Sequence, residues 1–137
     1  KLQGQQTSGV CSIAQKAATA AFNSNGETTK VMREAFLRRR NLIVEAISKI
    51  KGFRTNMPGG AFYIFPEISY FFGKQYNGGT LKNADDFAMF LLNVAHVAVV
   101  PGSAFGAPNY LRLSYATSDE KLKDAIERIA KAVELLK

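Results

Sequence analysis

Val97-Ala98-Val99-Val100-Pro101-Gly102-Ser103-Ala104-Phe105-Gly106-Ala107-Pro108-Asn109-Tyr110-Leu111-Arg112-Leu113-Ser114-Tyr115-Ala116 holds two strands and the loop between them. Val97 to Val100 is a short apolar run of the kind buried in a sheet, and Pro101-Gly102 stops it. Tyr110 to Tyr115 alternates, which puts Tyr110, Arg112 and Ser114 on one sheet face. Arg112 therefore stands in an apolar strand between two leucines. A buried guanidinium is costly unless an anion meets it. Its planar fork also matches a carboxylate in a bidentate grip. Two plainer readings stand beside that one: a solvated arginine on an edge strand, or an internal salt bridge. The Pro101–Gly106 loop sits at a strand end, where ligands are often held, and it reads equally well as a structural turn.

The rest of the chain arranges itself around this pair. Downstream, Thr117-Ser118-Asp119-Glu120 matches a capping box and starts a helix, with Leu122, Ile126, Ile129, Val133 and Leu136 as its apolar stripe. Upstream, a helix near Ala84–Ala95 carries Asp85 and Asp86 at its positive end and buries Phe87, Phe90, Leu91 and Val94. Tyr70–Lys82 reads as irregular. Ala61–Phe65 follows the Pro58-Gly59-Gly60 turn as a strand that ends at Pro66, and Phe53–Asn56 is a candidate to pair with it. Glu27–Lys51 is a long helix with Val31, Ala35, Leu42, Ala46, Ile47 and Ile50 on its apolar side and Gly52 as its cap. It would span roughly 35–40 Å, enough to bridge two lobes. Ser12–Phe22 is Ala-rich and helical, Ser24-Asn25-Gly26 breaks it, and the polar start Lys1–Gly9 reads as loop. The order predicts an α+β fold: a small mixed sheet with helices packed on it, preceded by the long helix.

Composition narrows the function classes. Hydrophobic residues at 47% and charged residues at 21% fit a globular chain with a real core and exclude a disordered or collagen-like one. The net charge of +7 raises nucleic acid as a partner. The positive residues are spread out, however, and the one dense run, Arg38-Arg39-Arg40, falls in the long helix as a solvated face; no nucleic-acid partner is expected. The single cysteine, Cys11, forbids an internal disulfide and suits the cytoplasm. It reads as a small residue at a helix start. No apolar stretch reaches the roughly 20 residues of a membrane span, so no membrane partner is expected. With one histidine, His96, and one cysteine, a zinc site is implausible and no metal is expected. His96 reads as structural. Neither Gly26 nor Gly106 leads into the Gly-Lys-Ser/Thr of a phosphate loop.

Taken together, Val97–Gly106 and Tyr110-Leu111-Arg112-Leu113-Ser114-Tyr115-Ala116 resemble the C-terminal signature of class I aminotransferases. Pro58-Gly59-Gly60-Ala61-Phe62-Tyr63 is similar to that family's Pro-x-Gly-Ala-Phe-Tyr strand entry. Lys1-Leu2-Gln3-Gly4-Gln5-Gln6-Thr7-Ser8, followed by Cys11-Ser12-Ile13-Ala14-Gln15, resembles the segment where the family's large domain ends. The match runs nearly end to end and is nearest in wording to the bacterial and plant branch of aspartate aminotransferases. The resemblance implies the small C-terminal domain of a fold-type-I enzyme. Such enzymes are homodimers that hold pyridoxal 5'-phosphate as a Schiff base on a lysine. It further implies that Arg112 binds the substrate α-carboxylate, that Ser103 and Phe105 lie near the cofactor, and that Thr7 and Ser8 approach the partner subunit's active site.

Nothing in the chain resembles the family's Ser-x-Ser-Lys run or its Asn-Pro-x-x-Pro-x-Gly segment. The expectation is therefore a C-terminal part: residues 1–26 as the tail of the large domain, and 27–137 as the linking helix and small domain. No catalytic residue is assigned within it, the Schiff-base lysine is expected upstream, and the piece alone is expected to be inactive. The parent reaction would move an amino group between an amino acid, aspartate first, and a 2-oxo acid. An aromatic amino acid or alanine as donor is the alternative within the fold. A free-standing, non-catalytic α+β domain that binds an anion is the alternative outside it.

Overall fold

A computed structural model describes residues 1–137, the side chain of residue 28 apart. The chain divides into two compact units, Lys1–Glu34 and Ala35–Lys137. In the first unit α1 spans Leu2–Thr7 and α2 spans Ser12–Phe22, and neither helix buries a residue. The expected loop at Lys1–Gly9 is thus a helix. Leu and Gln are good helix formers, and Ser8 ends the turn in the left-handed region at φ 54°, its N–H donating to the Gly4 carbonyl. Cys11 occupies the N-cap of α2, the small-residue role expected of it.

α3 runs unbroken over Glu27–Ser48, 22 residues or about 33 Å. The expected end at Lys51 is instead a turn, closed by Gly52 at φ 104°. The apolar side of α3 centres on Ile43 and Ile47, at most 1% exposed, with Leu42, Ala46 and Ile50 beside them; Val31 is 71% exposed and belongs to no core stripe. The arginine run is solvated only in part: Arg38 is exposed, and Arg39 and Arg40 are half-buried. Arg38 and Arg39 donate from Nε to Asp119 at 2.7 and 3.0 Å, and Arg40 donates to the Pro58 carbonyl at 3.0 Å. These contacts tie α3 to the start of α5 and to the turn before β1.

The second unit is built on a three-stranded sheet in the order β1 (Tyr63–Ile64), β5 (Leu111–Ser114) and β4 (Val100–Pro101). Both pairings are antiparallel, with Tyr63 opposite Ser114 and Val100 opposite Arg112, so the sheet is not mixed. Bridges from Arg54 to Glu67 and from Glu67 to Tyr110 extend it. Arg54 thus pairs just past Pro66 and not within Ala61–Phe65. Only Val100 of the expected Val97–Val100 strand enters the ladder. A short 3-10 turn, Ser69–Phe71, leads into the Tyr70–Lys82 stretch, which contains a hairpin of β2 (Gln75–Tyr76) and β3 (Gly79–Thr80).

α4 (Ala84–Phe90) continues as a π-helical turn, Leu91–Ala95, and ends at His96 in the left-handed region at φ 53°. Asn83 caps it by accepting from the Asp86 N–H at 2.9 Å. α5 (Asp119–Val133) is capped by Ser118, which accepts from the Lys121 N–H at 3.3 Å, one residue later than the capping box predicted. Leu122, Ile126, Ile129, Ala132 and Leu136 are buried. These helices pack on the sheet through Leu111 and Leu113 and through the rings of Phe53, Phe71, Phe87 and Phe90. Phe71 and Phe87 stack at 4.6 Å. Each fully buried side chain of this kind contributes about 1.5–3 kcal/mol. The outcome is the expected small α+β domain.

Candidate functional site

The site forms on the sheet face away from that core. Leu111 and Leu113 point inward at 0% and 5% exposure, so the period of two sends Tyr110, Arg112 and Ser114 outward. Arg112 lies on the middle strand, half-buried, which sets aside the edge-strand reading. Among the described residues no carboxylate forms an ion pair with it, which sets aside the internal salt bridge. Two rings hold it instead. Its guanidinium carbon is 5.5 Å from the centroid of Tyr63 and 4.9 Å from that of Phe105. A cation over ring faces is stabilised by about 0.5–2 kcal/mol. The rings orient the planar fork and accept none of its N–H hydrogen bonds in the plane. What Arg112 offers is a fixed cation with donors suited to a planar anion.

The loop before β5 puts Phe105 in place. Gly102 donates to the Tyr110 carbonyl at 2.7 Å and accepts from the Ala107 N–H at 2.9 Å. A Cβ at Gly102 would press into the carbonyl oxygens of Ala107 and Tyr110, so only glycine allows this closure. Ser103 donates its hydroxyl to Asp85 on α4 at 3.0 Å, which pins the loop from its other side. Phe105 remains 52% exposed, and Phe65 meets it edge-on at 6.1 Å. Phe65 also stacks on Tyr110 at 5.3 Å with the planes 2° apart. An aromatic ledge therefore runs from Arg112 along the sheet face.

Of the expected site residues, Arg112 and Phe105 come together, while Ser103 stands in the same loop with its hydroxyl turned to Asp85. Thr7 and Ser8 belong to the first unit, where Thr7 donates to the Gln3 carbonyl at 2.9 Å and Ser8 caps α1. Two further residues contribute, Tyr63 and Asp85. Tyr63 lies inside the Pro58–Tyr63 motif, and its alternation with Phe65 places both on the Arg112 face. The sequence shows Asp85 only as an acid at a helix start, with no sign of its bond to Ser103. His96 is exposed, and its backbone carbonyl accepts from Arg128 at 3.2 Å. Among the described residues no group of three or more His, Cys, Asp and Glu stands where it could hold a metal ion.

Comparison with known proteins gives this arrangement a context. A family model described as Aminotransferase class I and II matches residues 1–129. An aspartate aminotransferase of Rhizobium meliloti (strain 1021) is 46% identical over 136 residues, which covers 98% of this chain and 33% of that protein. A bifunctional aspartate aminotransferase and glutamate/aspartate-prephenate aminotransferase of Petunia hybrida is 41% identical, covering 100% of this chain and 29% of its own. A crystal structure of an aspartate aminotransferase from Rhizobium meliloti superposes with a TM-score of 0.91 at 44% identity, over 99% of this chain and 34% of that one. An alanine aminotransferase from Pyrococcus furiosus superposes with a TM-score of 0.78 at 32% identity, over 88% of this chain and 29% of that one. The chain spans about a third of the length of the curated relatives it matches.

Proposed function

The chain belongs to the class I and II aminotransferases, and from that membership we propose that it is the C-terminal part of an enzyme that moves an amino group between aspartate and a 2-oxo acid. The observation that carries the reading is Arg112: a half-buried cation on a middle strand, flanked by two rings and paired with no carboxylate of its own among the described residues. An amino acid and a 2-oxo acid share one group, the α-carboxylate. A single fixed arginine can therefore serve both substrates of a transamination. The charge-assisted, two-point contact orients the substrate as well as binding it.

Residues 1–26 are read as the tail of a large domain and 27–137 as the linking helix and the small domain. Pyridoxal phosphate supplies the electron sink that stabilises a carbanion next to the carboxylate. The residues gathered here fit a substrate carboxylate and not the anchoring of that cofactor. Arg112 is flanked by rings and not by a lysine, and the Ser103 hydroxyl is already given to Asp85. The chain holds no run that resembles the family's Ser-x-Ser-Lys, so on this reading the cofactor lysine belongs elsewhere in the enzyme and the chain alone is inactive. A homodimer in which Thr7 and Ser8 approach the partner subunit's site, and a cytoplasmic location, belong to the same reading; the free, exposed Cys11 suits a reducing compartment. No described helix is long and apolar enough to cross a membrane.

Aspartate is preferred as donor because the relatives at 46% and 41% identity carry that name. The test is turnover of the full-length enzyme with 2-oxoglutarate and, in separate assays, aspartate, an aromatic amino acid and alanine. The reading expects aspartate to give the highest kcat/KM and this chain alone to give no turnover above free cofactor. A higher kcat/KM with alanine or the aromatic donor would move the enzyme to that donor, and turnover by the chain alone would refute the division of the site.

A further inference from the structure

The turn that delivers Tyr63 to Arg112 is strained and clamped. Ala61 has φ 66°, in the left-handed region that a residue with a Cβ rarely adopts. It stands two residues before Tyr63. The Tyr115 hydroxyl donates to the Ala61 carbonyl at 2.9 Å, with the Gly60 carbonyl at 3.5 Å. Tyr115 is 1% exposed, so this hydroxyl has no water to turn to. On the other side of the turn Arg40 donates to the Pro58 carbonyl at 3.0 Å. The backbone continues the grip, since Tyr115 N–H donates to the Phe62 carbonyl at 2.8 Å. Strain held by surrounding contacts is typical of places where geometry matters to a site.

Tyr115 does not touch the open face. It follows the end of β5, three residues past Arg112, and is buried with its ring edge-on to Phe36 at 6.1 Å. Among the described residues its hydroxyl reaches only into the turn. We propose that Tyr115 is a positioning residue for the carboxylate site: its hydroxyl, with Arg40, fixes the left-handed Ala61 so that the Tyr63 ring stands against the Arg112 guanidinium. The inference rests on Arg112 binding the substrate carboxylate, and it adds residues on the buried side of the sheet to that site.

The test is kinetic, in the full-length holoenzyme. Tyr115→Phe keeps the ring and removes the hydroxyl. Loss of one buried hydrogen bond should raise KM for the amino-acid donor roughly three- to tenfold, with kcat within about twofold. The cofactor's own absorbance should not change. Arg40→Gln, which releases the turn from the other side, should raise KM in the same direction and serves if the tyrosine variant folds poorly. A merely structural role gives the opposite split, with kcat falling as active enzyme is lost and KM unchanged. That split, or a KM within twofold of wild type in both variants, overturns the proposal. Arg112→Lys is measured in parallel. If it lowers kcat/KM while the Tyr115 and Arg40 variants do nothing, the positioning link fails alone; if it too does nothing, the carboxylate reading fails and takes the link with it.

Discussion

The guanidinium carbon of Arg112 stands 4.9 Å from the centroid of the Phe105 ring, although the two residues belong to different elements, β5 and the loop before it. The ring is presented by a loop that Gly102 closes and that Ser103 pins to Asp85. Phe105 thereby does for Arg112 what a hydrogen-bond acceptor otherwise would, without using up the donors that the proposed carboxylate contact needs.

Removing that ring should weaken substrate binding. Phe105→Leu keeps an apolar side chain and loses the π face, an interaction of about 0.5–2 kcal/mol. In the full-length enzyme kcat/KM for the amino-acid donor should fall roughly two- to thirtyfold, while Phe105→Tyr should stay near wild type. Equal kcat/KM for the leucine and wild-type enzymes would remove Phe105 from the site.

The loop closure predicts a contrast between two glycines. Gly102→Ala must push its Cβ into two backbone carbonyls, an overpacking cost of about 1–3 kcal/mol. Gly106 has φ 72° and open space around it, so Gly106→Ala meets only the left-handed penalty of about 1–2 kcal/mol. Thermal unfolding should rank Gly102→Ala as the less stable of the two, and it should also cost more activity. The reverse order would mean that the loop does not depend on this close approach.

Asp119 gives a pH dependence. The hydrogen bond from Arg38, then that from Arg39, and their charges hold its carboxyl below the ordinary carboxylate range. A depressed folded-state pKa means stability that is present above the unfolded value, about 3.9, and is lost as pH falls through the folded value. The Tm of wild type should therefore exceed that of Asp119→Asn near neutral pH, and the gap should close as the pH drops below about 4. Added salt should narrow it, because the pair is partly exposed. A gap that is constant from pH 7 to pH 3 would show that the carboxylate charge is not what joins α3 to α5.

Several of these features are written in the sequence and several are not. The face of Arg112 follows from the alternation of Tyr110–Tyr115, because a strand's side chains have a period of two. The α5 stripe follows in the same way from its three- and four-residue steps. Pairing is less legible. Val97–Val99 has a strand composition, yet it packs against the core outside the ladder, since β4 meets β5 at only two positions. The β2–β3 hairpin has the Asn-Gly turn signal, with Asn77 at φ 46° and Gly78 at φ 82°. Its two-residue strands are too short to show alternation, so the stretch reads as irregular. Thr117 and Ser118 are adjacent cap formers, and local pattern does not choose between them. The contacts of Ser103 with Asp85 and of Arg112 with Tyr63 join residues 18 and 49 positions apart. Such distances are set by packing and leave no periodic trace.

The most direct test of the account is Arg112→Lys in the full-length enzyme. Lysine keeps the charge and loses the planar fork. Losing a desolvated, charge-assisted contact costs on the order of 2–5 kcal/mol. At about 1.4 kcal/mol per tenfold, kcat/KM for the amino-acid donor should fall roughly 30-fold to several thousandfold, with the cofactor still bound. A kcat/KM within about threefold of wild type would contradict the assignment of Arg112 to the substrate carboxylate.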